Sequence, residues 1–283
     1  MAQLGTSAVL VVNESSGSND PGSIDDVRNW LDHAGCTARR EICFPQDDVL
    51  SGNELDAGGH DTLVIFTGDG SIHAAIEAVD GWSGQVLVLP GGTMNLLSKR
   101  LHGDCEVHEI FARIGQGQVR RTRPSLIETP CGVGLSGALT GPGTAWNEVR
   151  EAMRGADITE MATGTIKALG ESVDGAMVRI IDPALGRREG YPLVLLSPEE
   201  GGIDVRAFHA ETAGEYIKQA LALIRRDFRN GPHDRLGMVN ELALEQNGED
   251  ELAMLVDGEP FTAPAPVRFR LGKAAVDLLS TLP

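Results

Sequence analysis

The chain of 283 residues carries 41% hydrophobic and 23% charged side chains, the composition of an ordinary soluble globular protein with room for two domains of usual size. Its net charge of −17 argues against a nucleic-acid partner, whose phosphates would be repelled, and against standing attachment to an anionic membrane. No run nears the roughly 18 apolar residues of a membrane span. Met1 to Ser7 lack the basic start of a signal peptide, and Cys36, Cys43, Cys105 and Cys131 have no CxxC spacing, so reduced thiols in a cytoplasmic protein are expected.

Ala8 to Val12 reads as a short apolar strand that opens an α/β domain. It ends in a polar, glycine-containing turn, Asn13-Glu14-Ser15-Ser16-Gly17, where a parallel sheet would place its first phosphate-contacting loop. Ser23 begins a helix with Ile24, Val27, Trp30 and Leu31 on one face and Asp26 placed for a capping box. Cys36 to Phe44 reads as a second strand, and a polar connection runs on to His60. Leu63 to Phe66 is a continuous apolar run, as in a parallel strand covered on both faces, and Thr67-Gly68-Asp69-Gly70-Ser71 follows at once. Ser71 is the expected N-cap of a helix whose Ile72, Ala75, Ile76 and Val79 keep the 3.6-residue period. Val86 to Leu89 repeats the pattern and ends in Pro90-Gly91-Gly92-Thr93-Met94-Asn95, with a helix through Leu96, Leu97, Lys99 and Leu101. Glu106 to Ile114 is a further amphipathic helix, closed by Gly115-Gln116-Gly117.

Two strand-turn-helix units in succession make a βαβα pattern, and such sheets place ligands beyond the carboxyl ends of their strands. Glycines let backbone N–H groups approach a ligand, and a helix N-terminus adds partial positive charge, so both turns suit phosphate. Asp69 runs against that logic. A carboxylate repels phosphate unless a metal intervenes or the carboxylate accepts a proton from an attacking hydroxyl. Taken singly, Gly68-Asp69-Gly70 is no more than a tight turn; the second glycine turn at the next strand end favours the functional reading. His60 and His73 flank the motif, but no third ligand stands at a recognisable spacing, so surface histidines are expected.

From about Gln118 the chain turns into short strands and turns, expected at 119–122, 125–131, 176–182, 191–196, 203–209, 237–244, 252–256 and 267–271. Helices are expected at 144–153 and 211–226. The pattern predicts a mainly β, sandwich-like domain over residues 118–272, after a Rossmann-like α/β domain with a parallel sheet over 1–117. Near its end, Asp257-Gly258 is among the best hairpin signals, and Glu259 follows it.

Thr67-Gly68-Asp69-Gly70-Ser71 resembles the Gly-Gly-Asp-Gly-Thr signature of the diacylglycerol kinase catalytic-domain family, which includes sphingosine kinases and bacterial lipid kinases. Gly92-Thr93-Met94-Asn95 resembles that family's Gly-Thr-x-Asn element, and Lys99 falls where the family usually carries a basic residue. Asn13 to Gly17 resembles its Asn-Pro-x-Ser-Gly element with Glu14 in place of proline, and Leu96-Leu97 stands where Asp-Phe is frequent. Asp257-Gly258-Glu259 is similar to the element that closes the family's second domain and points a carboxylate at the interdomain cleft.

The resemblance implies an ATP-dependent kinase with Mg2+ that phosphorylates a lipid hydroxyl of diacylglycerol-like type in phospholipid metabolism, with the active site in that cleft and with residues 273–283 returning to the first domain. Nucleotide contacts are then expected from Asn13, Ser15, Ser16, Gly17, Thr67, Gly68, Gly70, Ser71, Gly91, Gly92, Thr93, Asn95 and Lys99. Asp69 and Glu259 are the candidate bases, with Asp257 orienting Glu259 or helping to hold metal; the metal ligands stay open. Membrane contact is expected to be transient, through an apolar or arginine-bearing patch such as Arg120, Arg121 and Arg123 or Arg225, Arg226 and Arg229. A kinase of another small hydroxylated substrate such as NAD shares the first glycine turn but not the second. A non-catalytic nucleotide- or lipid-binding protein is the other alternative, motivated by Glu14, Thr67 and Leu96, and a scaffold protein is disfavoured by the two glycine turns.

Overall fold

The computed structural model describes residues 3–13, 21–141, 177–208 and 233–282. Residues 14–17, the helices expected at 144–153 and 211–226, and Arg225, Arg226 and Arg229 lie outside them. The chain divides into two compact units, Met1–Pro124 with Lys273–Pro283, and Ser125–Gly272.

Four parallel strands dominate the first unit: β1 (Ser7–Val12), β2 (Thr37–Cys43), β3 (Thr62–Thr67) and β4 (Gln85–Pro90). Every residue of β1 and β3 is buried, as the unbroken apolar runs require of strands covered on both faces. Ala8, Leu10, Val12, Val64, Phe66, Leu87 and Leu89 form one face, packed against Ile24, Val27 and Leu31 of α1 (Pro21–His33) and Ile110, Phe111 and Ile114 of α5 (Val107–Gly115). Each such side chain contributes on the order of 1.5–3 kcal/mol by leaving water. At the amino-terminal edge, the Asp61 carboxylate accepts from the Thr6 and Ser7 backbone N–H groups at 2.9 and 3.2 Å, joining the starts of β1 and β3. Burial pushes this carboxyl up, but those N–H groups and the Thr62 and Thr6 hydroxyls outweigh it and hold it below the usual range.

The sheet order is β2-β1-β3-β4-β18-β5, where β5 is Arg120–Thr122 and β18 is Asp277–Ser280. The last strand runs parallel to β4 and antiparallel to β5, so the sheet is mixed at this edge. It is tied to α4 (Leu96–His102): the Ser280 hydroxyl donates to the Leu101 carbonyl at 2.8 Å, and His102 Nδ1 lies 3.1 Å from Thr281 Oγ1.

Several boundaries differ from the sequence reading. Helix α1 starts at Pro21, a residue favoured in the first turn, so Ser23 lies inside it. The polar connection before His60 contains a short helix, α2 (Gly52–Ala57), fixed by a capping box between Ser51 and Glu54. Helix α3 (Asp69–Ala78) takes Gly68, not Ser71, as its N-cap, which puts the Asp69 carboxylate in the first turn where the helix dipole favours it. Because β5 pairs within the first sheet, the first unit reaches Pro124 and not Gly117.

The second unit holds two six-stranded sheets. One has the order β10-β9-β14-β17-β6-β7, from β6 (Ser125–Thr129), β7 (Gly132–Gly134), β9 (Val178–Asp182), β10 (Ala184–Leu185), β14 (Glu241–Gln246) and β17 (Val267–Lys273). The other has the order β13-β12-β11-β8-β15-β16, from β8 (Ala138–Thr140), β11 (Leu193–Glu199), β12 (Gly202–Phe208), β13 (His233–Val239), β15 (Glu251–Val256) and β16 (Glu259–Pro264). Val194, Leu196, Val205 and Met254 of one sheet share a core with Ile180, Leu242, Leu244 and Phe269 of the other, which makes the unit a sandwich. The single strand expected over Gly237–Leu244 is in fact the end of β13 and the start of β14, which belong to different sheets.

His102 is fully buried, and the loss of water lowers its pKa from 6.5 to about 4, a backbone hydrogen bond opposing and Arg113 adding to the effect. The unfolded chain therefore binds this proton between pH 6.5 and 4 while the folded chain does not. Stability contributed by neutral His102 is full above that window and falls as pH drops through it, by about 3 kcal/mol at most. Urea unfolding at pH 7 and pH 4.5 should show the native chain losing more stability than His102→Asn by about that amount; equal losses would assign the acid sensitivity elsewhere.

Candidate active site

The sheet order places a topological switch between β1 and β3: β1 leads outward to β2, and β3 leads the opposite way to β4. Ligand crevices form at such points, outside the carboxyl ends of the strands. Here the ends of β1, β3 and β4 are hydrogen-bonded together. Asn13 Nδ2, just past β1, donates to Ser71 Oγ in α3 at 3.1 Å. Asp69 Oδ1 accepts from the Leu96 backbone N–H at 2.8 Å, so the carboxylate of the first glycine turn caps the helix that leaves the second. Within that second turn, Asn95 Oδ1 accepts from the Gly92 N–H at 2.7 Å.

Two backbone features make this lock possible. A Cβ on Gly92 would lie 2.6 Å from the Gly68 Cα, so the turns press backbone against backbone where only glycine fits. Asn95 adopts a left-handed conformation, with φ 54° and ψ 44°, and its side chain turns back into its own loop instead of capping α4. Asparagine tolerates this region better than most residues. The orphan N–H at the start of α4 is left for Asp69.

Lys99 lies on α4 with its side chain 26% exposed and its Nζ 3.3 Å from Asp104 Oδ1. Beside it a cavity of about 430 Å³ opens against Gly92, Thr93 and Asn95. Its other walls come from the α1 residues Ser23, Asp26 and Trp30, from Phe66 and Pro90 at the strand ends, and from the segment before and into α5, including Cys105 and His108. These α1 and α5 residues escaped the sequence reading because nothing in their local pattern separates a pocket wall from an amphipathic helix face.

In the second unit, Asp257 (φ 49°) and Gly258 (φ 89°) form a two-residue turn that pairs Val256 with Glu259, so the hairpin reading of Asp-Gly is right. Asp257 is buried, and its carboxylate accepts from the backbone N–H groups of Leu135, Ser136 and Gly137 at 2.7, 2.7 and 2.9 Å. That gives Asp257 a structural task, anchoring the loop between β7 and β8. Glu259 is half-buried at the start of β16. His60 bonds Ser7 at the amino-terminal end of the sheet while His73 lies in α3 beyond the carboxyl end, and among the described residues no group of three or more His, Cys, Asp or Glu is arranged to hold a metal ion.

The first unit is thus an α/β domain whose mixed sheet carries interlocked glycine turns at its switch point. Residues 7–126 match the family model described as the diacylglycerol kinase catalytic domain, and the resemblance carried by the glycine turns is borne out there. Three solved structures from Bacillus anthracis str. Sterne share the fold of the whole chain. A diacylglycerol kinase is 14% identical with a TM-score of 0.59 and 97% of each chain covered. Two further structures, each described as a putative diacylglycerol kinase, are 15% and 16% identical, both with TM-scores of 0.60 and with 97% and 96% of each chain covered. At such identity they establish the α/β-plus-β architecture. A search of curated proteins gives no match.

Two substitutions test these assignments. Gly92→Ala must displace the Gly68 backbone, and should cost about 1–3 kcal/mol of stability and open the turn, read as a lowered midpoint in urea unfolding. Asp257→Ala strands three backbone donors and should destabilise the fold by about 3 kcal/mol or more. If Asp257→Ala unfolds at the native urea midpoint, the anchoring role is wrong.

Proposed function

We propose that this protein transfers the γ-phosphoryl group of ATP to a hydroxyl of a lipid substrate. The observation that carries the reading is the lock between the two glycine turns, in which Asp69 is held half-buried among backbone groups at the ends of three adjacent strands. The family match over residues 7–126 supports a lipid kinase, and glycine turns that run from strand ends into helix N-termini suit phosphate.

Phosphoryl transfer asks the protein chiefly for positioning and charge neutralisation. In the proposed reaction the substrate hydroxyl oxygen bonds to the γ-phosphorus, the bond from that phosphorus to the β–γ bridging oxygen breaks, ADP leaves, and the hydroxyl proton passes to a carboxylate. Asp69 and Glu259 are the candidate proton acceptors, and Asp69, which accepts from the Leu96 N–H, also organises the two glycine turns. Mg2+ is commonly held by one or two carboxylates together with substrate phosphates, and Asp69 fits that donor role; the ion would supply neutralisation of phosphate charge. Thr93, Asn95 and Lys99 line the cavity beside the turn and are assigned to the nucleotide, as are Thr67, Gly70, Ser71 and Gly91.

ATP turnover measured with a panel of lipids in micelles tests the reaction. Asp69→Asn and Glu259→Gln should fold normally and each lose on the order of a hundredfold to ten-thousandfold in single-turnover rate. Near-normal turnover in Glu259→Gln would leave Asp69 as the base, and near-normal turnover in both variants would defeat the kinase reading.

A further inference from the structure

The edge of the second unit that carries Glu259 departs from the rest of its sandwich. Directly opposite residues of antiparallel strands share a face, and β15 and β16 pair Val256 with Glu259, Met254 with Phe261 and Leu252 with Ala263. Because Val256, Met254 and Leu252 belong to the shared core, Glu259, Phe261 and Ala263 lie on the side of β16 that turns toward the other sheet. Ala263 is buried there, but Phe261 is 37% exposed and Glu259 half-buried, so this side opens toward the turn. Phe261 is the only exposed aromatic side chain among the described residues. The edge strand of the facing sheet leaves the opening uncovered: β7 pairs Gly134 with the core residue Ile127 and Gly132 with Thr129, so its core-facing positions are both glycine. A Cβ on Gly134 would lie 3.2 Å from Val256 Cγ1, which sets the end of β7 against the pair of Val256 and Glu259, while a Cβ on Gly132 would meet nothing within 4 Å.

Pro260 and Pro264 already guard β16 against pairing with another chain, so edge protection does not account for a phenylalanine on this face. The turn before it is fixed by the three backbone donors on Asp257, which holds Glu259 and Phe261 two positions apart on one rigid face. A carboxylate at the end of an apolar strip matches a hydroxyl carried on hydrocarbon, whereas a wholly polar acceptor would leave the ring in water. We propose that Phe261 receives the hydrocarbon next to the reacting hydroxyl, laid along the open edge between β16 and β7 with the hydroxyl toward Glu259. This rests on the lipid-kinase reading above and adds to it the residue that selects an apolar acceptor over a small polar one. Thr262, exposed on the opposite face of the same strand, takes no part in the contact.

Tryptophan placed on each face of β16 separates this contact from general exposure to a micelle. A diacylglycerol brominated on its acyl chains, presented in detergent micelles, should quench most of the fluorescence that Phe261→Trp adds to the native chain and little of that added by Thr262→Trp. Phe261→Ser should raise the KM for micellar diacylglycerol about tenfold with a much smaller effect on kcat, and Phe261→Leu should recover most of the loss. The tryptophan pair decides the matter if Phe261→Ser does not fold. Equal quenching on both faces, or a fall in kcat with KM unchanged in Phe261→Ser, would overturn the contact. Lipid phosphorylation by the native chain with no quenching in Phe261→Trp would also overturn it and leave the kinase reading standing. Quenching confined to Phe261→Trp without phosphorylation of any lipid by the native chain would defeat the kinase reading and with it the acceptor role of Phe261, leaving a lipid contact at this edge.

Discussion

The first unit depends on one hydrogen bond, from the Leu96 N–H to the Asp69 carboxylate. It joins two turns that the chain builds separately, each at the end of its own strand, and it answers a need that neither turn meets alone. Helix α4 starts from a left-handed asparagine whose side chain is spent on Gly92, so its first donor requires an acceptor from elsewhere. Asp69 sits at the first position of α3, where a negative charge is already favoured. A single carboxylate thus serves two helix starts, and the contact of Gly92 on Gly68 sets the distance at which it can do so. The carboxylate that looks misplaced between glycines is what joins the two glycine turns.

The second unit solves a related problem with a related part. Among the described residues, Asn95 and Asp257 are the two non-glycine residues with positive φ, and each turns its side-chain oxygen onto backbone N–H groups of a turn or loop. Short polar side chains are the ones that tolerate this conformation, because they hydrogen-bond locally. In the hairpin the carboxylate is buried and gathers three donors at once, which freezes the residues before β8 and leaves Glu259 at the start of β16.

Much of this was legible from residue order. Unbroken apolar runs such as Leu63 to Phe66 announce strands covered on both faces, glycine turns announce where those strands end and helices begin, and Asp257-Gly258 announces its hairpin, because each depends on neighbours in sequence. What escaped depends on partners far along the chain. Ser71 looked like an N-cap, yet its hydroxyl is taken by Asn13, a residue 58 positions away. The strand read through Gly237 to Leu244 divides at Asn240 because its two halves pair with different sheets, β13 with β12 and β14 with β9 and β17. The motif announces a carboxylate at a turn for Asp257, and only the placement of Leu135 to Gly137, more than a hundred residues earlier, shows which backbone groups its oxygens hold.

The position of β18 bears on the order in which the molecule can be assembled. Until residues 277–280 are available, β4 has no neighbour on its outer side and β5 has no partner in the sheet. A chain emerging from the ribosome in sequence order therefore makes β1 to β4 early but holds an unpaired, apolar strand edge through the whole synthesis of the second unit. Unpaired edges are templates for association between chains, so the vulnerable interval is set by translation time and not by the stability of the finished sheet. The Ser280 and Thr281 contacts to α4 end that interval, and the strand that completes the first sheet follows the whole second unit in the chain.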